Sequence, residues 1–227
     1  MADLHPEFRA PHSAFPNPVP SRHSNPFATC WTRPGAIPFC FPPGQDAERL
    51  VRQLAEQHGR GEIVGPHGSG KSTLLAALVP QMRANGCEVH SITLHDGQRR
   101  LPRGWINRVK TMSAASHTIL VVDGYEQLAP WWRWWLKFRC RRAGAGLLVT
   151  SHAPTGLPPL ICTSSDLHLV ERLVDILVQR VPSLVTPSDV VASHACHGSN
   201  VREILFDLYD RHEQRMRARR TLGVCGT

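Results

Sequence analysis

Eight consecutive residues, Gly65-Pro66-His67-Gly68-Ser69-Gly70-Lys71-Ser72, satisfy the phosphate-binding pattern G-x-x-x-x-G-K-[ST] at every fixed position. A polyphosphate presents closely spaced anionic oxygens. A loop that holds it must bring backbone N–H groups within hydrogen-bond reach with no side chain in the way. Gly65, Gly68 and Gly70 meet that need. Lys71 would set a mobile cation on the β- and γ-phosphates, and the Ser72 hydroxyl would serve a magnesium ion bridging them. Pro66, His67, Ser69 and Thr73 complete the expected contact set. The implied ligand is a nucleoside triphosphate with Mg2+.

Such a loop works only between a strand that enters it and a helix that leaves it. Glu62-Ile63-Val64 is a β-prone run following Gly59 and Gly61, and Ser72 to Val79 opens a buried helix whose N-terminus adds partial positive charge behind the phosphates. A second chemical group lies downstream. Thr118-Ile119-Leu120-Val121-Val122-Asp123 reads as a buried parallel strand whose C-terminal end delivers a carboxylate. Asp123 would hold the magnesium through water, the competing reading being a helix cap. Glu126 would orient or deprotonate an attacking water, the competing reading being a solvated glutamate favoured by a helix dipole. Ligands of open parallel sheets sit outside the carboxyl ends of the strands, which also draws attention to Thr150, at the end of the apolar run Gly146-Leu147-Leu148-Val149-Thr150.

The elements that must position these groups alternate. Asp46 caps a helix running to His58, with Leu50, Val51 and Leu54 on one face. Residues 87–94 alternate like a strand, residues 104–116 have helical character, a basic helix runs to Arg142, and Leu160-Ile161-Cys162-Thr163 supplies a fifth strand. This order predicts an α/β three-layer fold with a parallel five-stranded sheet. Beyond Asp166 the patterns are helical only, over residues 167–181, 188–196 and 200–219, which predicts a small C-terminal helical lid. The division expected is a disordered Pro-rich segment over 1–25, a nucleotide-binding domain with an N-terminal arm over 26–165, and a lid-like region over 166–220. Ten of the nineteen prolines fall within the first 43 residues. The aromatic content rises from Phe27 to Phe41, as in an extended arm lying on the domain.

The loop at 65–72 (Walker A), one intervening strand, then Ile-Leu-Val-Val-Asp-Gly-Tyr-Glu at 119–126 (Walker B) and Leu-Leu-Val-Thr-Ser-His at 147–152 together resemble the additional-strand (ASCE) P-loop NTPases, especially the AAA+ and STAND ATPases. The resemblance implies ATP hydrolysis with Lys71 and Glu126 in catalytic roles. In those groups the strand at 147–152 ends in a γ-phosphate-sensing arginine. His152 stands in that place here, which passes the sensing role to Thr150 or Ser151. The stretch His197-Gly198-Ser199-Asn200-Val201-Arg202-Glu203 is similar to the start of an AAA+ lid helix, whose arginine reaches back to the nucleotide, and this implies Arg202. No arginine lies between His152 and Ile161, where AAA+ rings carry a finger, so a standard hydrolysing ring is not expected. The N-terminal arm takes the place of one that covers the adenine base in many P-loop proteins. The loop is also similar to that of the ABC ATPases, and Leu94-His95-Asp96-Gly97-Gln98 to their signature. Only 23 residues separate Lys71 from Leu94, too few for the helical subdomain of that family.

The formal charge of +8 is concentrated. Residues 131–142 hold five cations and no acid, and residues 211–220 hold five arginines and one glutamate, so these two stretches account for the whole excess. Trp131, Trp132, Trp134, Trp135 and Phe138 make the first stretch wider in apolar surface than an ordinary core-facing helix. Core packing and a contact surface for protein, nucleic acid or an anionic membrane both remain open. The seven cysteines are scattered with no C-x-x-C pair, which argues against a disulfide framework, and His194, Cys196 and His197 lack a fourth metal ligand. There is no integral membrane segment and no signal-peptide pattern, so the expected location is cytoplasmic. Two rivals to a switch or accessory ATPase are a small-molecule phosphotransferase using Asp96, Arg99 and Arg100, and a nucleotide-gated binding module with little turnover.

Overall fold

The computed structural model describes residues 25–112 and 117–224. The expectation of disorder over 1–25 therefore lies, Asn25 apart, outside the described residues, as does the end of the helix predicted over 104–116. In chain order the elements are α1 (Thr29–Thr32), α2 (Ala47–Glu56), β1 (Arg60–Val64), α3 (Lys71–Ala84), β2 (Val89–Thr93), α4 (Arg103–Thr111), β3 (Ile119–Asp123), α5 (Pro130–Arg142), β4 (Gly146–Ser151), β5 (Pro159–Cys162), α6 (Leu167–Arg180), α7 (Pro187–His197) and α8 (Val201–Val224). A 3-10 turn at Tyr125–Gln127 leads into α5.

The strands form one sheet in the order β2-β3-β4-β1-β5, and every pairing is parallel. This is the predicted three-layer α/β fold. Parallel strands buried on both faces must be apolar, and β3 up to Val122 and β4 up to Val149 are so, with polar residues only at their carboxyl ends. On one face Leu50 and Leu54 of α2 and Leu74, Leu78 and Met82 of α3 pack over Ile63, Val121 and Leu148. On the other, Trp132, Leu136 and Cys140 of α5 and Val109 of α4 meet Leu120, Val122 and Leu147.

The helix that Ser72 to Val79 opens runs on through Pro80 to Ala84. Pro80 forfeits one helical hydrogen bond, yet Leu74, Leu78 and Met82 are fully buried, and that packing carries the helix one turn further. The arm is not extended along the domain alone. Phe39 and Phe41 pack on the α2–α3 side of the sheet, whereas Phe27, Trp31 and Ile37, around the single turn α1, join the apolar cluster of α6, α7 and α8. Asn25 opens this segment and is buried, its amide donating to Tyr209 O and Glu213 Oε1 of α8.

The C-terminal helices begin where the side chains can cap them. Asp166 accepts the N–H of Leu169 at 2.8 Å to start α6. Thr186 and Asp189 form a reciprocal capping box at the start of α7, with Pro187 in the first turn. Asp189 is also held by Arg215 of α8, at 2.5 and 2.8 Å, so one carboxylate caps α7 and fastens α8 to it.

Candidate nucleotide site

The carboxyl ends of β1, β3 and β4 bring the sequence-predicted residues together. β1 ends at Val64 and α3 begins at Lys71, so the 65–70 loop turns directly from strand to helix. The glycines serve two sides of it. Gly68 and Gly70 have φ of 72° and 90°, which favours glycine, and a Cβ on Gly65 would run into the side chain and carbonyl of Thr163. A Cβ on Gly68 would meet the Asn200 carboxamide at the head of α8. Thus Thr163, just after β5, and Asn200, just before α8, pack on the back of the loop while Pro66 and His67 are exposed. Thr163 and Asn200 were not singled out as site residues in the sequence. The Oγ1 of Thr163 shares a 2.7 Å hydrogen bond with the Oγ of Ser69, and both are buried.

Ser72 Oγ donates to Asp123 Oδ2 at 2.7 Å. Thr150 Oγ1 donates to the other oxygen, Oδ1, at 2.6 Å and accepts the Gly124 N–H at 2.9 Å. Thr150 is wholly buried, in a position that orients the Asp123 carboxylate. The hydroxyl and carboxylate expected to share a magnesium ion thus adjoin each other and are hard oxygen donors, which fits that ion. Among the described residues no group of three or more His, Cys, Asp or Glu side chains could hold a metal, and this covers His194, Cys196 and His197.

Lys71 Nζ donates to the Gly65 and Pro66 carbonyls, each at 2.7 Å, and lies 3.4 Å from His152 Nδ1. Burial lowers its pKa, opposed by the negative charges of Glu126 and Asp123 and aided by Arg202. Arg202, in the first turn of α8, is therefore electrostatically coupled to the loop lysine, although its side chain is exposed. Glu126 sits on the 3-10 turn after β3. Its Oε1 pairs with His152 Nε2 at 2.8 Å, and its Oε2 is buried with no partner. The His152 ring packs against that of His67, centroids 3.6 Å apart and planes tilted by 35°. Thr73 follows Ser72 in the first turn of α3, partly buried. The arm reaches this site too, for Phe39 lies 3.5 Å from where a Cβ of Gly70 would be.

α5 stands apart from this constellation. Trp132, Leu136 and Cys140 face the sheet, while Trp131, Trp134 and Phe138 are 55%, 66% and 48% exposed on the opposite side. The Trp134 and Phe138 rings are nearly parallel, 8° apart, with centroids at 5.6 Å. No helix of the described residues is long and apolar enough to cross a membrane.

No protein-family model matches the sequence, and no curated protein matches it. Solved structures do match in shape. A replication initiator DnaA bound to AMPPCP and single-stranded DNA is similar over 81% of this chain and 68% of its own, at TM-score 0.53 and 17% identity. A DNA replication initiation factor is similar over 74% of this chain and 63% of its own, at TM-score 0.52 and 15% identity. AMPPCP-bound DnaA from Aquifex aeolicus is similar over 79% of this chain and 68% of its own, at TM-score 0.50 and 15% identity. The chain has the fold of an additional-strand P-loop NTPase of the AAA+ type.

Proposed function

We propose that this fold binds MgATP at the 65–72 loop and hydrolyses it, serving as a switch or accessory ATPase. The observation that carries the proposal is the convergence of Lys71, Ser72, Asp123 and Glu126 at the carboxyl ends of β1 and β3, with Ser72 and Asp123 in direct contact. Ser72 and Asp123 would hold the magnesium, whose positive charge would offset the negative charge on the phosphoryl oxygens. Lys71 leaves the Gly65 and Pro66 carbonyls to bind the β- and γ-phosphates. The loop N–H groups and the head of α3 add their dipoles there. Thr150 keeps Asp123 in orientation. Glu126, with one unpartnered oxygen, accepts the proton of the attacking water. Arg202 brings a lid cation toward the polyphosphate, and Phe39 of the arm supports the base end.

The cellular setting we assign is the cytoplasm, which suits the free thiols of all six described cysteines. Test of the central reading needs calorimetry and phosphate release on the same preparations. Wild type should bind MgATP and release phosphate; Glu126→Gln should bind and release little. Binding of ATP unaffected by Lys71→Met in a folded protein would overturn the assignment. Transfer of phosphate to a small acceptor with no free phosphate released would instead establish the phosphotransferase reading.

A second reading concerns α5. The connection between β4 and β5 is a short loop without a helix, held by Glu62, which accepts the N–H of Thr155 at 2.7 Å and its hydroxyl at 2.6 Å. Beside it lies a groove of about 310 Å³ lined by Trp134, Phe138, Lys137, Arg141 and Arg60. None of these cations is ion-paired among the described residues. Exposed parallel rings amid unpaired cations suit a single-stranded nucleic acid, which stacks its bases and neutralises its phosphates. The DnaA structure that binds single-stranded DNA supports this reading through shape alone. Binding of a fluorescent oligonucleotide should weaken steeply with salt and fall in Trp134→Ala. Absence of both effects would leave a protein partner or an anionic membrane as the occupant of this face.

A further inference from the structure

Leu184 lies in the linker 181–186 between α6 and α7, and α8 takes both of its backbone groups. Its N–H donates to His212 Nδ1 at 3.2 Å, and its carbonyl accepts from Arg215 Nη1 at 2.6 Å. Those two side chains are three residues apart, hence neighbours on one face of α8. The His212 residue is 2% exposed. A ring nitrogen that accepts an amide N–H carries no proton of its own, so the imidazole is neutral with its single hydrogen on Nε2. Nδ1 is then the atom that any second proton must take. Its arrival removes the acceptor of the Leu184 N–H and sets one N–H against another. Ser183 Oγ, 3.4 Å from Nδ1, already accepts the Val185 N–H at 3.0 Å, and a protonated ring turned toward it would leave Leu184 bare all the same.

We propose that His212 is an acid-released clasp: a second proton on its buried ring frees the α6–α7 linker from α8 while the sheet stays folded. The groups around the ring do not make up for the lost bond. Burial lowers the pKa of His212 from the ordinary 6.5, and the charge that opposes this is Glu213, next to it on α8. Glu213 also accepts from the Asn25 amide of the arm. Arg211 and Arg215 of α8 are paired with Asp189 of α7, Arg180 at the end of α6 donates to Ala36 O, Arg33 of the arm is exposed, and Tyr209 lends its ring to the lid cluster. Residues 181–186 carry no charge. Since the folded pKa is depressed, the stability that the neutral ring contributes is present above pH 6.5 and is lost as pH falls through the folded value. Leu184 then hangs on Arg215 through its carbonyl alone. The Asp189 carboxylate, held far lower by Arg215, still ties α7 to α8 at that point. The lid therefore answers acid in two stages, the linker first and the α7–α8 tie only at much lower pH. This needs no nucleotide in the loop.

The test reads the ring and the linker on the full chain. Nitrogen-15 NMR, with the His212 signals assigned by their loss in His212→Asn, should show a neutral ring protonated on Nε2 at about pH 7.5 and a second proton arriving on Nδ1 as the pH is lowered toward about 5. Over the same range amide exchange, corrected for its intrinsic pH dependence, should speed several-fold in the linker around Leu184 and stay unchanged in β3 and β4. His212→Asn sets an oxygen acceptor near the place of Nδ1 and does not titrate, so its linker should keep one level of protection throughout. His212→Phe keeps a buried ring with no acceptor, and its linker should exchange fast at both ends of the range. Should that variant fail to fold, the wild type and His212→Asn still decide. A ring protonated on Nδ1 at pH 7.5, a wild-type linker unmoved by acid, the same acid response in His212→Asn, or a loss of protection shared equally by β3 and β4 would each overturn the proposal.

Discussion

At the scale of single residues, the site is a set of groups whose hydrogen bonds are provisional. Lys71 is satisfied by the carbonyls of its own loop and, in the function proposed, is also the group from which ATP would draw its charge-assisted contacts. Lys71→Met should therefore weaken MgATP binding by about 1.5–3 kcal/mol, roughly 10- to 150-fold in Kd by calorimetry. Glu126→Gln should keep that affinity and lose about 10²–10⁴-fold in turnover. The loop and Asp123 could be read from the sequence because fixed spacing demands their residue types. Thr163 and Asn200 could not, because they matter through what they press against the backs of Gly65 and Gly68. The pairing of His152 with Glu126 was hidden for the same reason. It depends on a pair of distances between β4, the loop and the 3-10 turn that no local pattern encodes.

Among elements, α5 and α7 show how one helix can divide its duties. The face of α5 toward the sheet carries Trp132, 8% exposed, and the outer face carries Trp134 at 66%. Trp132→Ala should cost about 3–5 kcal/mol in urea denaturation, whereas Trp134→Ala should stay within about 0.5 kcal/mol, leaving loss of partner binding as its phenotype. In α7 the Asp189 carboxylate serves Thr186 and Arg215 together, and the Arg215 hydrogen bond, outweighing burial, holds its pKa far below the ordinary 3.8. Since the folded pKa is depressed, this contribution is present above pH 4 and is lost as pH falls below that. Asp189→Asn should thus destabilise the lid by about 2–3 kcal/mol at pH 7, and the difference from wild type should shrink in a titration below pH 4. The alternation of strands and helices was legible because parallel strands leave runs such as 119–122 apolar throughout. The end of α3 was not, since a proline stops a helix in local terms and only the burial of Met82 beyond it shows why the chain continues. The width of apolar surface on α5 was visible in sequence, but which tryptophans face outward follows from where the sheet lies.

For the molecule as a whole, the question is whether the lid responds to what the loop holds. Two contacts tie them. Asn200, at the head of α8, covers Gly68, and the first turn of α8 carries Arg202 within electrostatic reach of Lys71. The arm adds a third link, since the same segment places Phe39 near Gly70 and Phe27 and Trp31 in the lid cluster. Ligand that binds only the folded chain stabilises it by about 2.7 kcal/mol at a hundred times its Kd. For a chain of this size each kcal/mol moves the melting temperature by about 2–4 °C, so MgATP should raise it by roughly 5–11 °C. A nucleotide felt by the loop alone would slow amide exchange only around 65–84. A nucleotide felt through Asn200 should slow it in the early turns of α8 and, through the shared cluster, in α7 as well. Asn200→Ala separates the two cases. It should leave protection of the loop intact and abolish the nucleotide-dependent protection of α7 and α8, while an unchanged exchange pattern in that variant would show that loop and lid respond independently.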